Sequence, residues 1–162
     1  MDDIKLAYLA GIVDADGYIG LINTFSIDKA HGPTYRPETR GRVYGRRFRQ
    51  VMRVGVTMTD PTVPTMLKAE FGGTLYCRQR KQGWKNVWAW DARSNKALKF
   101  LEAIRPWLLM KTKQADIAIA FQRQRAPHVP RSAADKHMDK MLGKIMTGLN
   151  ARGTPTEYGT HN

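Results

Sequence analysis

Leu9-Ala10-Gly11-Ile12-Val13-Asp14-Ala15-Asp16-Gly17 is the stretch on which the reading of the fold turns. It forms the second half of a short helix over Ile4 to Asp16. Apolar residues fall at Ile4, Leu6, Ala7, Leu9, Ala10, Ile12 and Val13, the spacing of one helical face. Asp2 or Asp3 can cap its start, and Gly17 stands where helices commonly stop. Ala7, Gly11 and Ala15 recur every four residues. A ridge of such small side chains lets a second helix backbone approach closely. Asp14 and Asp16 sit at the helix C-terminus, where the macrodipole disfavours negative charge. Two readings are open for them: carboxylates that end the helix by accepting from backbone amides, or carboxylates that hold a divalent cation.

Downstream, Tyr18 to Phe25 alternates as a strand, with Ile19, Leu21 and Phe25 on one face and Tyr18, Gly20, Ile22 and Thr24 on the other. Ser26 to Arg47 reads as a long polar connection carrying Gly32, Pro33, Pro37, Gly41 and Gly45. Phe48 to Thr57 resumes alternation: Met52, Val54 and Val56 against Arg49, Val51, Arg53 and Gly55. Asp60 and Pro61 open a helix to Phe71, closed by Gly72-Gly73. Thr74 to Arg80 and Asn86 to Ala92 are expected to form a hairpin around Lys81-Gln82-Gly83. Ser94 is expected to cap a helix to Ile104, which stops near Pro106. Another helix spans Thr112 to Arg125, and Ser132 caps a last one to Asn150. Four strands with helices on one side make an α+β domain. The uncovered sheet face then carries Arg49, Arg53 and, by alternation, Arg78 and Arg80.

The chain has 162 residues, and 27 Lys+Arg less 14 Asp+Glu leaves +13, with a pI near 10.2. Apolar residues at 42% supply a core, which excludes a disordered basic tail. The lone Cys77 excludes a disulfide scaffold or a Cys-rich zinc module. Neither a ~20-residue apolar run nor the basic-then-apolar order of a signal peptide occurs. The reading is an intracellular protein, in cytoplasm or nucleoid, with no membrane partner. The excess charge is concentrated. From Arg36 to Arg53 there are seven arginines, including Arg40, Arg42, Arg46, Arg47, Arg49 and Arg53, and one acid, Glu38. Arg78, Arg80, Lys81 and Lys85 form a second cluster. Arg forks read guanine edges, and Arg and Lys pair with phosphates, so nucleic acid is the expected partner.

As a nine-residue string, LAGIVDADG resembles the signature of the LAGLIDADG homing endonucleases, differing at its fourth and fifth positions, both still apolar. The resemblance extends to about residue 125. It implies an αββαββα core with a four-stranded antiparallel saddle-shaped sheet, followed by C-terminal helices. The domain boundaries so implied are 1–125 for the core, 126–150 for a C-terminal helix and 151–162 for a tail. A single signature implies the homodimeric branch, with Ala7, Tyr8, Ala10, Gly11, Asp14 and Ala15 between two copies. A C2 pair needs such a self-complementary surface.

The same resemblance implies a nuclease of mobile introns. It would cut both strands of a long pseudo-palindromic double-stranded DNA and leave short 3′ overhangs. Asp16 matches the acid that ligates the catalytic metal, with the Ala15 carbonyl beside it; Asp14 is assigned to structure. Two or more Mg²⁺ per dimer would lie near the paired Asp16. Pro106 to Ala115 resembles the family segment whose lysine polarises water or phosphate, which points to Lys111. Where some homodimeric members carry a Gln after Val56-Thr57, this chain has Met58, a poor ligand for hard Mg²⁺. Either Thr57, Thr59 or Asp60 fills that role, or activity is reduced. Base reading would fall to Ile22, Thr24, Ser26, Arg49, Val51, Arg53, Arg78 and Arg80, with Lys85 on phosphate. Trp88 and Trp90 are expected in the core, and Met138, Met141, Leu142 and Ile145 are expected to pack. His31, His128, His137 and His161 lack metal-ligand spacing. The alternative is a nucleic-acid-binding protein of the same fold with weak chemistry: an RNA maturase, which makes RNA a partner, or a DNA-binding regulator.

Overall fold

A computed structural model describes residues 1–28, 34–36, 41–43, 45–125 and 131–151. Helix α1 (Asp3–Asp16) starts where Asp2 accepts from the Lys5 amide at 2.9 Å and buries Leu9, Ala10, Val13 and Asp14. Gly17 closes it, donating its N–H to the carbonyls of Ile12 and Val13. A Cβ there would lie 2.6 Å from Val13 Cα, so only glycine permits this tight exit.

The exit leads into β1 (Tyr18–Asp28). Next come β2 (Thr34–Arg36), β3 (Gly41–Val43), β4 (Gly45–Met58), α2 (Thr62–Phe71), β5 (Thr74–Arg78) and β6 (Val87–Arg93). The chain then forms α3 (Ser94–Ile104), a 3-10 turn (Arg105–Trp107), α4 (Thr112–Arg123) and α5 (Ala133–Asn150). The main sheet has the order β1-β4-β6-β5 and is antiparallel throughout. This is the expected α+β fold.

Its register sorts the side chains. Ile19, Leu21, Met52, Val54, Val56, Trp90 and Ala92 join the buried core with Leu67, Phe100, Leu101 and Phe121. Phe100 meets Phe71 and Trp90 edge-on, at 4.9 and 5.0 Å between ring centroids. Trp90 is buried as expected, and its Nε1–H donates to the Gly72 carbonyl at 2.7 Å, so the indole keeps its hydrogen bond. Trp88 is half-buried. The opposite face carries Tyr18, Ile22, Thr24, Arg49, Arg53, Thr57, Tyr76, Arg78, Asp91 and Arg93, by the pairings Gly20↔Arg53↔Arg93 and Gly55↔Asp91↔Thr74.

Several expectations are corrected. The stretch read as a structureless connection over Ser26 to Arg47 holds strand. β1 continues to Asp28, β4 begins at Gly45, and β2 pairs with β3 in a separate two-stranded sheet. Backbone ladder bonds build these strands, so their short, polar sequence between Gly and Pro residues concealed them. β5 ends at Arg78, which leaves Arg80 in the connection to β6. Ser94 does not cap α3; it is the first helical residue, at φ 50°, after Arg93. Helix α4 stops at Arg123.

Ser132 does cap α5, in a reciprocal box with Asp135. That helix packs on β1 and α4 through Met146, and Asn150 donates to the Ile19 carbonyl at 2.8 Å. Asp139 ties its base down, accepting from Arg125 and Arg131 at 2.7 Å each. Met138, Met141 and Ile145, expected to pack, are exposed, and only Leu142 of that set meets the core. Gly143 and Met146 turn the buried stripe of α5 elsewhere. No helix among the described residues is long and apolar enough to cross a membrane.

Candidate nucleic-acid interface and active site

Two carboxylates two residues apart meet opposite fates at the end of α1. Asp14 is buried, 8% exposed. Its oxygens accept from the backbone amides of Leu109 at 2.7 Å and Lys111 at 2.9 Å. Burial opposes its ionisation. The amides of Leu109, Lys111 and Met110, with the Lys111 charge, outweigh that and hold its carboxyl below the usual carboxylate range. The capping reading therefore holds for Asp14, and its expected place in an interface between copies does not. Asp16 is exposed. It opens onto a cleft of about 190 Å³ that it shares with Tyr18, Arg53, Thr57, Tyr76, Arg78 and Asp91.

Lys111 lies at this helix end, but not as a free cation. Its Nζ donates to the carbonyls of Val13 at 2.7 Å, Asp14 at 2.9 Å and Gly17 at 2.8 Å. An ammonium has three donors, and all three are engaged. The cation sits where the macrodipole is negative, sharing the Val13 carbonyl with the Gly17 N–H and satisfying the Asp14 carbonyl at the helix end. Burial pushes its pKa down, partly offset by the charges of Asp14 and Asp16. The expectation that Lys111 polarises water or phosphate is at odds with this geometry, in which it braces the helix end that presents Asp16. Its three bonds leave the carbonyls of Ala15 and Asp16 untouched.

Met58 faces the core rather than the cleft. Strand alternation hands the cleft position to Thr57, which lines it with Asp16. No group of three or more His, Cys, Asp or Glu is arranged for a metal among the described residues.

The base-reading set is divided. Arg49 is exposed, and Thr24 donates its hydroxyl to the Arg49 carbonyl at 3.2 Å. Ile22 is half-buried beside Val51, which is only 6% exposed and offers little surface. Arg53 pairs with Asp91, and Arg78 lies over Tyr76 with the guanidinium 5.1 Å from the ring. Arg80, Lys81 and Lys85 are exposed on the connection to β6, with Arg80 over Trp84. Ser26, Arg46 and Arg47 fall in the β1–β4 ladder and Arg42 in β3. Arg40, His31, His128 and His161 lie outside the described residues.

On α1, Tyr8, Gly11 and Ala15 are exposed and Ala7 is half-buried, whereas Ala10 is fully buried in the core of its own chain. Ala10 therefore leaves the proposed interface for the same reason as Asp14: its helical azimuth points inward. The exposed face continues into large apolar side chains, Ile4 on α1 and Trp107, Leu109 and Met110 in the segment packed on it.

Reading the sequence missed Tyr18, Tyr76, Asp91, Arg93 and Lys96, all in this region. Arg93 and Lys96 line a wider cleft of about 550 Å³ with Arg53, Arg78 and Asp91. The signal was present in Trp88 and Trp90: once they face the core, Asp91 and Arg93 must face out.

No protein-family model matches the sequence, and no curated protein matches it. Solved structures do match in fold. The homing endonuclease I-CvuI, in complex with the I-CreI target and Mg, has a TM-score of 0.66 at 19% identity, covering 95% of this chain and 86% of that one. The archaeal intron-encoded homing endonuclease I-Vdi141I, complexed with DNA, has a TM-score of 0.62 at 16% identity, covering 97% and 91%. The I-SmaMI LAGLIDADG homing endonuclease bound to cleaved DNA has a TM-score of 0.61 at 13% identity; 90% of this chain is covered, against 45% of that longer one. The fold is that of the LAGLIDADG homing endonucleases.

Proposed function

We propose that this chain, with the LAGLIDADG homing endonuclease fold, is a site-specific endonuclease. It would bind a long pseudo-palindromic double-stranded DNA as a homodimer, cut each strand once and leave short 3′ overhangs. The observation that carries this reading is Asp16: an exposed carboxylate at the end of a braced helix, opening onto a cleft shared with Arg53, Arg78 and Thr57.

The donors present suit Mg²⁺. A carboxylate and a main-chain carbonyl are hard oxygen ligands, and Mg²⁺ takes few protein ligands beside substrate phosphate and water. Asp16 and the Ala15 carbonyl would hold it, and the bound ion would activate water and neutralise charge at the scissile phosphate. Among the described residues one chain offers this cleft a single carboxylate without an ion-pair partner, Asp16, so two copies would serve two strands. The exposed Tyr8, Gly11 and Ala15, continued by Ile4, Leu109 and Met110, form the surface on which a second copy would seat, bringing the two Asp16 together. Thr57 would orient a phosphate oxygen or water in the cleft. Arg49, Arg53 and Arg78 on the open face would read bases and hold phosphates. Lys111 would keep the helix end in place.

Cleavage of a randomised duplex library with Mg²⁺, with a Ca²⁺ control and sequencing of the ends, tests this. Discrete cuts at a partly symmetric sequence are expected. A second reading, a binding protein of the same fold with weak chemistry, draws on the occupied donors of Lys111 and the inward Met58. Retention of one DNA sequence without cutting would favour a regulator. Selective retention of a structured RNA would favour a maturase.

A further inference from the structure

Arg53 and Arg93 stand directly opposite each other on β4 and β6. Like charges in that position repel unless something negative lies between or above them. Within the chain that something is Asp91. Its Oδ1 accepts from Arg53 Nε at 2.5 Å and its Oδ2 from Arg53 Nη2 at 2.7 Å. The arrangement is built rather than incidental. The Asp91 carboxylate is 9% exposed against 30% for the Arg53 side chain. A Cβ at Gly55, across the strand, would come within 3.0 Å of Asp91 Oδ1, so glycine makes the space for the carboxylate. The Tyr18 ring lies 5.8 Å from the Arg53 guanidinium on its other side. The pair also raises the Arg53 pKa, through the hydrogen bonds to Asp91 against the cost of burial.

A guanidinium has two forked edges. Asp91 occupies the side edge, Nε with Nη2. The end edge, Nη1 with the second proton of Nη2, has no partner among the described residues and is held in one orientation. Two parallel donors aimed along the side chain match the O6 and N7 acceptors of guanine in the major groove. Resting on the site-specific DNA reading above, we propose that Asp91 is a specificity-determining residue that acts through Arg53. It locks the end fork of Arg53 onto one guanine per half-site, next to the cleaved phosphates. Arg93, opposite, and Arg78 serve the backbone. The position along the target follows from the cleft that Arg53 shares with Asp16.

The test is selection of bound duplexes from a randomised pool in Ca²⁺, with sequencing, for the wild type, Asp91→Asn and Arg53→Lys. Asp91→Asn frees the fork and removes one negative charge. The guanine preference at one symmetric pair of positions should fall about tenfold, with every other position unchanged and total affinity equal or higher. Arg53→Lys keeps the charge and a bond to Asp91 but has no fork, and it should lose the same preference even if Asp91→Asn fails to fold. An Asp91→Asn protein that selects the wild-type sequence overturns the inference. So does one that loses preference evenly across the site, which is the mark of a merely structural pair. So does an Arg53→Lys protein that keeps its guanine. A wild type that selects no duplex sequence overturns the site-specific reading instead, and the inference falls with it.

Discussion

Asp14 and Asp16 carry opposite predictions although they share a helix turn. Asp16→Asn should abolish cleavage while leaving duplex affinity within about threefold, since an exposed carboxylate near phosphates contributes nothing attractive without a cation; gel shifts and cutting assays on one target check both. Asp14 bears on stability. Its folded pKa is lowered from the ordinary carboxyl value, so the ionised carboxylate adds stability that is complete above the unfolded carboxyl range and is lost as pH falls through the lower folded value. Unfolding followed between about pH 2 and 5 should show Asp14→Asn less stable than wild type at the upper end and the difference closing at the lower end. Lys111→Met should cost about 2 kcal/mol in denaturant unfolding, because it strands the carbonyls of Asp14 and Gly17 and strips Val13's carbonyl of its second donor. Lys111→Arg should recover only part of that, since a planar fork cannot meet three converging acceptors.

At the scale of elements, α1 shows two faces with different duties. Its inward face, Leu9, Ala10, Val13 and Asp14, belongs to the core; its outward face is the small-residue ridge. A Cβ at Gly11 would meet nothing within 4 Å. Gly11→Gln should therefore raise the stability of a single chain by about 0.5–1 kcal/mol through helix propensity, yet separate the proposed dimer. Sedimentation beside denaturant unfolding distinguishes the two effects. Helix α5 hangs on Asp139. Removing that carboxylate leaves Arg125 and Arg131 half-buried and unpaired, and Asp139→Ala should destabilise the fold by about 3 kcal/mol. The start of α5 was legible in the sequence, because Ser132 and Asp135 form a local box. Its outward Met138, Met141 and Ile145 were not, because apolar spacing marks a helical stripe without saying what covers it.

Across the whole molecule the excess of +13 is unevenly spread. Arg49, Arg53, Arg78 and Arg93 share one sheet face, and Lys136 and Lys140 flank its edge in a cleft with Arg49 and Arg125. Binding to duplex DNA should then weaken steeply with salt, by about 0.9 in the log–log slope for each phosphate neutralised. Titrations at several salt concentrations measure that slope.

Local periodicity was enough for the helices and the four strands of the main sheet, though not for β2 and β3, and for the two faces of the β1–β4 ladder and the small-residue ridge, because each is written in neighbouring residues. Charge placement was enough to propose nucleic acid as the partner. Three features lay beyond it. Alternation alone could not end β5 at Arg78, since ladder pairing with β6 decides where a strand stops. Nor could it choose between two carboxylates about 200° apart around a helix. Packing of the segment at Leu109–Lys111, 95 or more residues away, buries Asp14 and leaves Asp16 to the cleft. Strand pairing brings Asp91 to Arg53 across 38 residues. A side chain's type and period are local, but its partner is set by long-range register and burial, so only the tertiary structure decided which charged groups brace the fold and which stay free.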